Sequence, residues 1–198
     1  MIKNAWLLAI VMLLGLWSGC QQDAASLYKQ RERRELASGL RYDSLFLGIT
    51  FGMTSKAFYT HCWDMNKAGI IKEGPNNSTV QYYIPNVEPP IRMLFYPNFH
   101  EDRIYEMPIT FNYVSWSPWN KDLYADKLQL KIVEVLEDWY GEGFIRLDHP
   151  KGGVLYAKID GNRRISVWCE DDEKVKALIT DLPVSRRIPK TEGKLSSK

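Results

Sequence analysis

The sequence predicts an α+β domain: an antiparallel sheet of five or six strands, with two main helices and a short third helix packed on one face. Two observations lead to this fold class. Apolar residues recur at helical spacing in two segments, residues 54–69 and 121–140. Short β-type runs joined by short turns lie between and after these segments, and strands that follow one another so closely usually pair antiparallel.

The first helix begins at Thr54, a residue type that caps helix N-termini well, and ends at Gly69 or at the Gly74-Pro75 pair. The second main helix spans residues 121–140, with Gly141 at the position of a C-terminal cap. The apolar face of the first helix carries Phe58, Cys62 and Met65.

The strands are expected from short β-type runs at residues 79–84, 91–96, 103–114, 154–159 and 163–169. Asp160-Gly161-Asn162, between the last two runs, is a strong hairpin signal. Pro108 has no N–H to donate to a ladder, so we expect its strand at a sheet edge or at a bulge.

The short third helix is expected over residues 172–182. Acidic residues at 170–173 suit a helix N-terminus, because they complement the helix dipole. Pro183 marks the end of this helix.

Composition excludes two classes of protein. With 45% hydrophobic residues the chain can form a core, so it is not a disordered protein. The 26 basic and 24 acidic residues nearly balance, and the basic stretches at 29–34 and 186–198 resemble solvated flanks. We therefore expect no nucleic-acid partner.

The N-terminus has the features of an export signal. Residues 5–17 carry no polar side chain, but this run is shorter than the roughly 20 residues that span a bilayer. It ends in small residues before Cys20, as cleaved signals do. An ordinary signal peptide and a short uncleaved anchor are the alternatives.

The order Leu16-Trp17-Ser18-Gly19-Cys20 resembles the lipobox of bacterial lipoproteins, although Trp17 stands where that motif usually has leucine. The resemblance implies that the Cys20 thiol is diacylated and that Cys20 becomes the mature N-terminus. It also implies a lipid-anchored place in the cell envelope, and Gln21 favours the outer membrane where the organism has one.

These features divide the chain into four parts. Residues 1–19 are expected to be a signal peptide, and residues 20–39 the lipidated cysteine with a polar tether. Residues 40–182 form a single α+β domain, and residues 183–198 a flexible basic tail.

A second resemblance covers residues 48–65. Gly52-Met53-Thr54 opens an amphipathic helix that precedes a small meander. This arrangement resembles the SmpA/OmlA lipoproteins of outer-membrane assembly and the β-lactamase-inhibitor-type domains. The resemblance supports the fold class and implies a binding or assembly role, without assigning binding residues.

Two cysteines remain after Cys20. Helical spacing and strand alternation direct both Cys62 and Cys169 into the core between helix and sheet. A disulfide between them is possible if their Cα atoms lie within about 7 Å, and two free buried thiols are equally compatible with the sequence.

The sequence lacks the common catalytic and metal-binding motifs. It contains no His-Glu-x-x-His, no Cys-x-x-Cys and no Gly-rich phosphate loop between a strand and a helix. His61 and Cys62 are neighbours on a helix and point about 100° apart, so they do not form a catalytic pair. We therefore expect no enzymatic activity, no metal site and no cofactor.

An aromatic loop, residues 113–119, joins the long strand to the second main helix. If exposed, its aromatic side chains Tyr113, Trp116 and Trp119 contact a partner. The alternative is a hydrophobic staple, in which they pack on the first turn of that helix.

The expected function is that of a non-catalytic, lipid-anchored envelope protein, a binding or assembly module for a protein or for peptidoglycan. The alternative is an envelope hydrolase that acts on cell-wall or glycan material through carboxylates that no motif marks, or through His100.

Overall fold

The computed structural model describes residues 23–189, so the signal-type run, Cys20 and the last nine residues lie outside the described part. Within it, one antiparallel sheet is accompanied by four α-helices. The helices are α1 Ala24–Ala37, α2 Ser55–Lys67, α3 Ala125–Tyr140 and α4 Leu182–Ser185. The strands are β1 Lys72–Glu73, β2 Val80–Tyr83, β3 Ile91–Phe95, β4 Asn98–His100, β5 Arg103–Tyr113, β6 Ile145–Asp148, β7 Val154–Asp160, β8 Arg163–Cys169 and β9 Val175–Asp181.

The sheet has nine strands in the order β1-β2-β3-β5-β9-β8-β7-β6, with β4 paired to β5. All of its ladders are antiparallel, which confirms the predicted α+β class. The predicted number of five or six strands is wrong. β1, β4 and β6 are only two to four residues long, too short to show an alternating pattern in the sequence.

The predicted third helix is also wrong, because most of this segment forms β9 between β5 and β8. Val175, Ala177 and Ile179 alternate with less buried neighbours and are at most 1% exposed. This two-residue period fits a strand that packs one face on the core. The acidic residues before it form the β8–β9 turn, where the Asp171 carboxylate accepts from two backbone amides.

The strand that contains Pro108 was expected at a sheet edge or at a bulge, but β5 lies near the middle of the sheet, and the register shift in its ladder with β4 lies between Ile104 and Glu106. Pro108 is opposite Leu178 of β9. On the other side of β5, pairing with β4 ends at Glu106 and pairing with β3 begins at Ile109. The proline therefore lies at the position where β4 ends and β3 begins as the neighbour of β5, and a break in strand pairing is where a residue without an N–H is tolerated.

The two main helices share one face of the sheet, as predicted. Phe58 of α2 and Leu128, Ile132 and Leu136 of α3 are at most 1% exposed and belong to the same core as β3, β5, β8 and β9. The Thr54 side chain caps α2 by accepting from the Ala57 amide at 3.2 Å. A short 3₁₀ turn, Lys121–Leu123, precedes α3.

The segment expected as a polar tether contains α1, which packs on β6 and β7. The side chains of Ala157 and Ile159 point away from the core face by strand alternation, yet both are 1% exposed, so α1 covers this part of the opposite face. Hydrogen bonds to backbone groups add to this contact. Arg31 donates to the Gly143 carbonyl at 3.3 Å, and the Gly161 amide donates to Glu35 at 3.2 Å.

A buried charged cluster joins the chain after α1 to the β7–β8 hairpin. Arg163, only 6% exposed, donates to the Ser44 carbonyl at 2.7 Å and to Asp160 at 3.1 Å. Its guanidinium lies over two rings, 5.6 Å from the centroid of Tyr42 and 4.4 Å from that of Tyr140. Lys158 forms a second ion pair with the Asp160 carboxylate.

Candidate functional site

An aromatic groove lies between α2 and the β1–β2 hairpin. Its volume is about 410 Å³. We define the aromatic groove by the walls Tyr59, Trp63 and Tyr96 and the floor Phe58, Cys62 and Val80.

The helical period of α2 explains how one helix supplies both the floor and a wall. Phe58 and Cys62 lie on the face that packs on the sheet, and Tyr59 and Trp63 each follow by one residue, beside that face. Tyr96 comes from the other side, immediately after β3. The sheet thus brings together side chains from positions far apart in the sequence.

The buried Phe58 ring supports the exposed rings above it. Phe58 is 1% exposed and meets Tyr59 and Tyr96 edge to face, with ring centroids 5.8 and 6.0 Å apart. Trp63 is 62% exposed, Tyr59 52% and Tyr96 37%. Ile70, 50% exposed, follows at the end of α2. Single exposed apolar residues are common on protein surfaces, whereas a cluster of them marks a site of interaction.

Polar groups at the groove have defined partners. The hydroxyls of Tyr59 and Tyr96 share a hydrogen bond of 2.5 Å. This bond, with burial as a smaller cause, raises the pKa of Tyr96 to about 12. The ammonium of Lys67 lies 5.2 Å from the centre of the Trp63 ring. The groove therefore offers the neutral hydroxyl of Tyr96 beside aromatic faces at neutral pH.

The disulfide considered between Cys62 and Cys169 is not formed, and both cysteines are free. Cys62 lies on α2 beside β1 and β2, whereas Cys169 lies on β8, and three strands separate β2 from β8 in the sheet. Burial raises the pKa of Cys62 to about 11, so this thiol is neutral at physiological pH and a poor nucleophile. The Cys169 thiol donates to the Gln129 side chain at 3.6 Å.

A second depression, the sheet-face groove, lies on the face opposite α3 and has a volume of about 690 Å³. Trp168 and His149 stack there with ring centroids 5.8 Å apart and an angle of 11°. Lys176 donates to Thr110 at 2.9 Å and pairs with Glu170 at 3.3 Å. Lys176 and Glu170 of the sheet-face groove are thus paired with each other, whereas the walls of the aromatic groove are aromatic.

The three aromatic side chains of the loop at residues 113–119 lie in different environments. Tyr113 is 5% exposed and belongs to the core. Trp116 is half-buried with its ring centroid 6.3 Å from that of Tyr124, as in the staple alternative. Trp119 is 87% exposed. The three side chains therefore do not form one contact surface.

The histidines lie apart from one another and have structural partners. A ring nitrogen of His61 contacts the Leu47 carbonyl at 2.6 Å, and His100 lies edge-on to Tyr105. Within residues 23–189, no group of three or more His, Cys, Asp or Glu side chains is placed to hold a metal ion.

The sequence patterns did not single out the aromatic groove. Tyr59 and Trp63 are four residues apart and so share one side of α2, a signal that the sequence contained. Tyr96 has no local pattern that separates it from an ordinary strand residue, because its role depends on the packing of α2 on the sheet.

Comparison with known proteins gave no match: the chain matches no protein-family model, no curated protein and no solved structure. Among residues 23–189, no helix has both the length and the apolar composition to cross a membrane.

Proposed function

We propose that this chain is a lipid-anchored protein of the cell envelope whose α+β domain binds a protein or cell-wall partner in the aromatic groove. The groove supports this proposal through one observation above all. It places three exposed aromatic side chains around a depression of about 410 Å³, a size common for binding sites.

The groove suits binding because its side chains are already ordered. Tyr59 and Trp63 project from a helix, and the Tyr59–Tyr96 hydrogen bond connects the two walls. Aromatic side chains provide a large contact area and lose little rotational freedom on binding. Their faces stack on sugar rings and receive apolar side chains, so both peptidoglycan and protein segments fit this chemistry.

The proposed location rests on the N-terminal motif that ends at Cys20. Two acyl chains hold a protein stably on a bilayer, whereas one chain holds it only marginally. Binding at the groove would then take place close to the envelope membrane.

Site-specific photo-cross-linking in living cells tests the proposed contact. A photoreactive phenylalanine derivative replaces Trp63 in the full chain, and in a control it replaces Leu130, which is 51% exposed on α3 away from the groove. We expect a discrete adduct from position 63 and none from position 130. The adduct should disappear when Tyr96→Ala removes the opposite wall.

Sedimentation with isolated peptidoglycan separates the two partner classes. If the partner is the cell wall, the wild-type protein sediments with peptidoglycan and the Tyr59→Ala/Trp63→Ala variant remains in solution. If the partner is a protein, position 63 still gives a cross-linked adduct, but the wild-type protein does not sediment with peptidoglycan. Equal behaviour of wild type and variants in both experiments would refute binding at the groove.

A further inference from the structure

Trp119 is the most exposed of the large hydrophobic residues in the described part of the chain, at 87%. The loop that carries it is nevertheless ordered. Tyr124 donates its hydroxyl to the Pro118 carbonyl at 2.8 Å, and Asn120 accepts from the Asp122 amide at 3.2 Å. Trp116 packs beside Tyr124 and secures the base of the loop. The loop thus holds the indole of Trp119 in solvent, and this side chain has no role in packing the fold.

The register of the strands places this loop at a definite end of the sheet. β5 ends at Tyr113, two residues after Phe111 has paired with Val175 at the start of β9. Val175 also pairs with the last residue of β8, and Leu155 near the start of β7 pairs with Trp168. The loop of Trp119 therefore shares its end of the sheet with the β6–β7 loop, opposite the β7–β8 turn.

The N-terminus of α1 is directed to the same end. The C-terminal part of α1 lies at the β7–β8 turn, through Glu35 and Gly161. α1 also contacts β6, which pairs with only the first half of β7, from Val154 to Ala157. The helix accordingly runs from the side of the β6–β7 loop towards the β7–β8 turn.

The position proposed to carry lipid is close to this end. Cys20 precedes Asp23, the first described residue, by three residues. Three residues span at most about 11 Å in any conformation. Because α1 is docked on the sheet, a lipid on Cys20 would hold this end of the domain near the bilayer.

We propose that Trp119 inserts into the interfacial layer of the bilayer that holds the lipid anchor and so fixes the orientation of the domain. This proposal rests on the proposed lipidation of Cys20. Tryptophan is the residue type that favours the membrane–water interface, where its ring is apolar and its N–H stays hydrated. The aromatic groove, between α2 and the β1–β2 hairpin, is then left open to a partner.

Fluorescence quenching by brominated lipids tests the insertion. The lipidated full-length mature protein is reconstituted into phosphatidylcholine vesicles with and without bromine on the acyl chains. We expect brominated lipid to quench part of the tryptophan emission, and the Trp119→Phe variant to lose most of that quenching. Trp63→Phe is the matched control, since Trp63 is also exposed but lies at the aromatic groove.

Each outcome of this test has one interpretation. Equal quenching in wild type and Trp119→Phe would overturn the insertion of Trp119. The intact mass of the same preparation reports the anchor separately. A lipidated mass without Trp119-dependent quenching overturns only this inference, whereas an unlipidated mass removes the anchor and the inference together.

Discussion

Replacing Arg163 by methionine tests how the chain after α1 is held on the sheet. Arg163 is 6% exposed, and its partners are the Ser44 carbonyl at 2.7 Å and the Asp160 carboxylate at 3.1 Å. Methionine fills much of the same volume but supplies neither the charge nor the hydrogen-bond donors. The substitution therefore removes the polar contacts and keeps part of the packing.

The expected loss of stability follows from these contacts. Ser44 is an exposed residue and its hydrogen bond to Arg163 is only partly buried, so leaving its carbonyl without this donor costs about 1–2 kcal/mol. The lost attraction to the rings of Tyr42 and Tyr140 adds about 1–2 kcal/mol in a desolvated site. Lys158 still neutralises Asp160, so the full cost of an unpaired buried carboxylate does not arise. We expect the free energy of unfolding to fall by about 3 kcal/mol.

Urea unfolding followed by circular dichroism measures this change. A loss of about 3 kcal/mol corresponds to a fall in Tm of about 6–12 °C for a domain of this size. Arg146→Met is the matched control, because Arg146 is exposed on β6, and it should alter stability by less than about 0.5 kcal/mol. A change below about 1 kcal/mol for Arg163→Met would refute the conclusion that the buried charged cluster holds the chain after α1 on the sheet.

Four further substitutions are expected to act as follows. Gly161→Ala should lower stability by about 2 kcal/mol or more, because φ is +51° and the new Cβ would lie 2.3 Å from the Leu40 carbonyl oxygen. Trp116→Ala should cost about 2 kcal/mol in a thermal melt, whereas Trp119→Ala should change stability by less than about 0.5 kcal/mol. Burial raises the pKa of Asp171, but hydrogen bonds from backbone amides outweigh it and lower the pKa overall. The stability advantage of wild type over Asp171→Asn should therefore be present above about pH 4 and disappear as the pH falls below it.

Each of these expectations has a contradicting result. Gly152→Ala is the control for position 161, since Gly152 also has a positive φ but no atom within 4 Å of the added Cβ. Equal losses at both positions would exclude the close approach as the cause. Equal losses of stability for Trp116→Ala and Trp119→Ala would contradict the finding that Trp116 is packed and Trp119 is exposed. A constant difference between wild type and Asp171→Asn from pH 6 to pH 2 would contradict a lowered pKa.

The elements that the sequence predicted correctly depend on local signals. Thr54 caps α2, and Gly69 ends it with a positive φ and a bond from the Ile70 amide to the Met65 carbonyl at 3.0 Å. Asp160-Gly161-Asn162 forms the turn between β7 and β8. In these cases a few consecutive residues determine the backbone conformation.

The segment of β9 was assigned wrongly because two local signals competed. Acidic residues followed by an apolar run that ends at a proline are typical of a helix. The alternation of Val175, Ala177 and Ile179 favours a strand, and the strand forms because it fills the space between β5 and β8. Tertiary pairing decided between the two, and a single sequence does not display that pairing.

Local sequence patterns could not predict the aromatic groove or the docking of α1, and the reason is similar. Tyr96 meets Tyr59 only because α2 lies across the sheet at the end of β3. α1 has no buried residue, so it lacks the apolar stripe by which a packed helix is identified in a sequence. Its polar contacts to Gly143 and Gly161 become evident only from the positions of those backbone groups.

The intact mass of the protein extracted from its native membrane tests the proposed function most directly. We expect a mass that begins at Cys20 and includes diacylglycerol on its thiol, because the sequence before Cys20 resembles a lipobox. An unlipidated mass, or one that retains residues 1–19, would contradict the lipid anchor and with it the proposed place of this protein in the envelope.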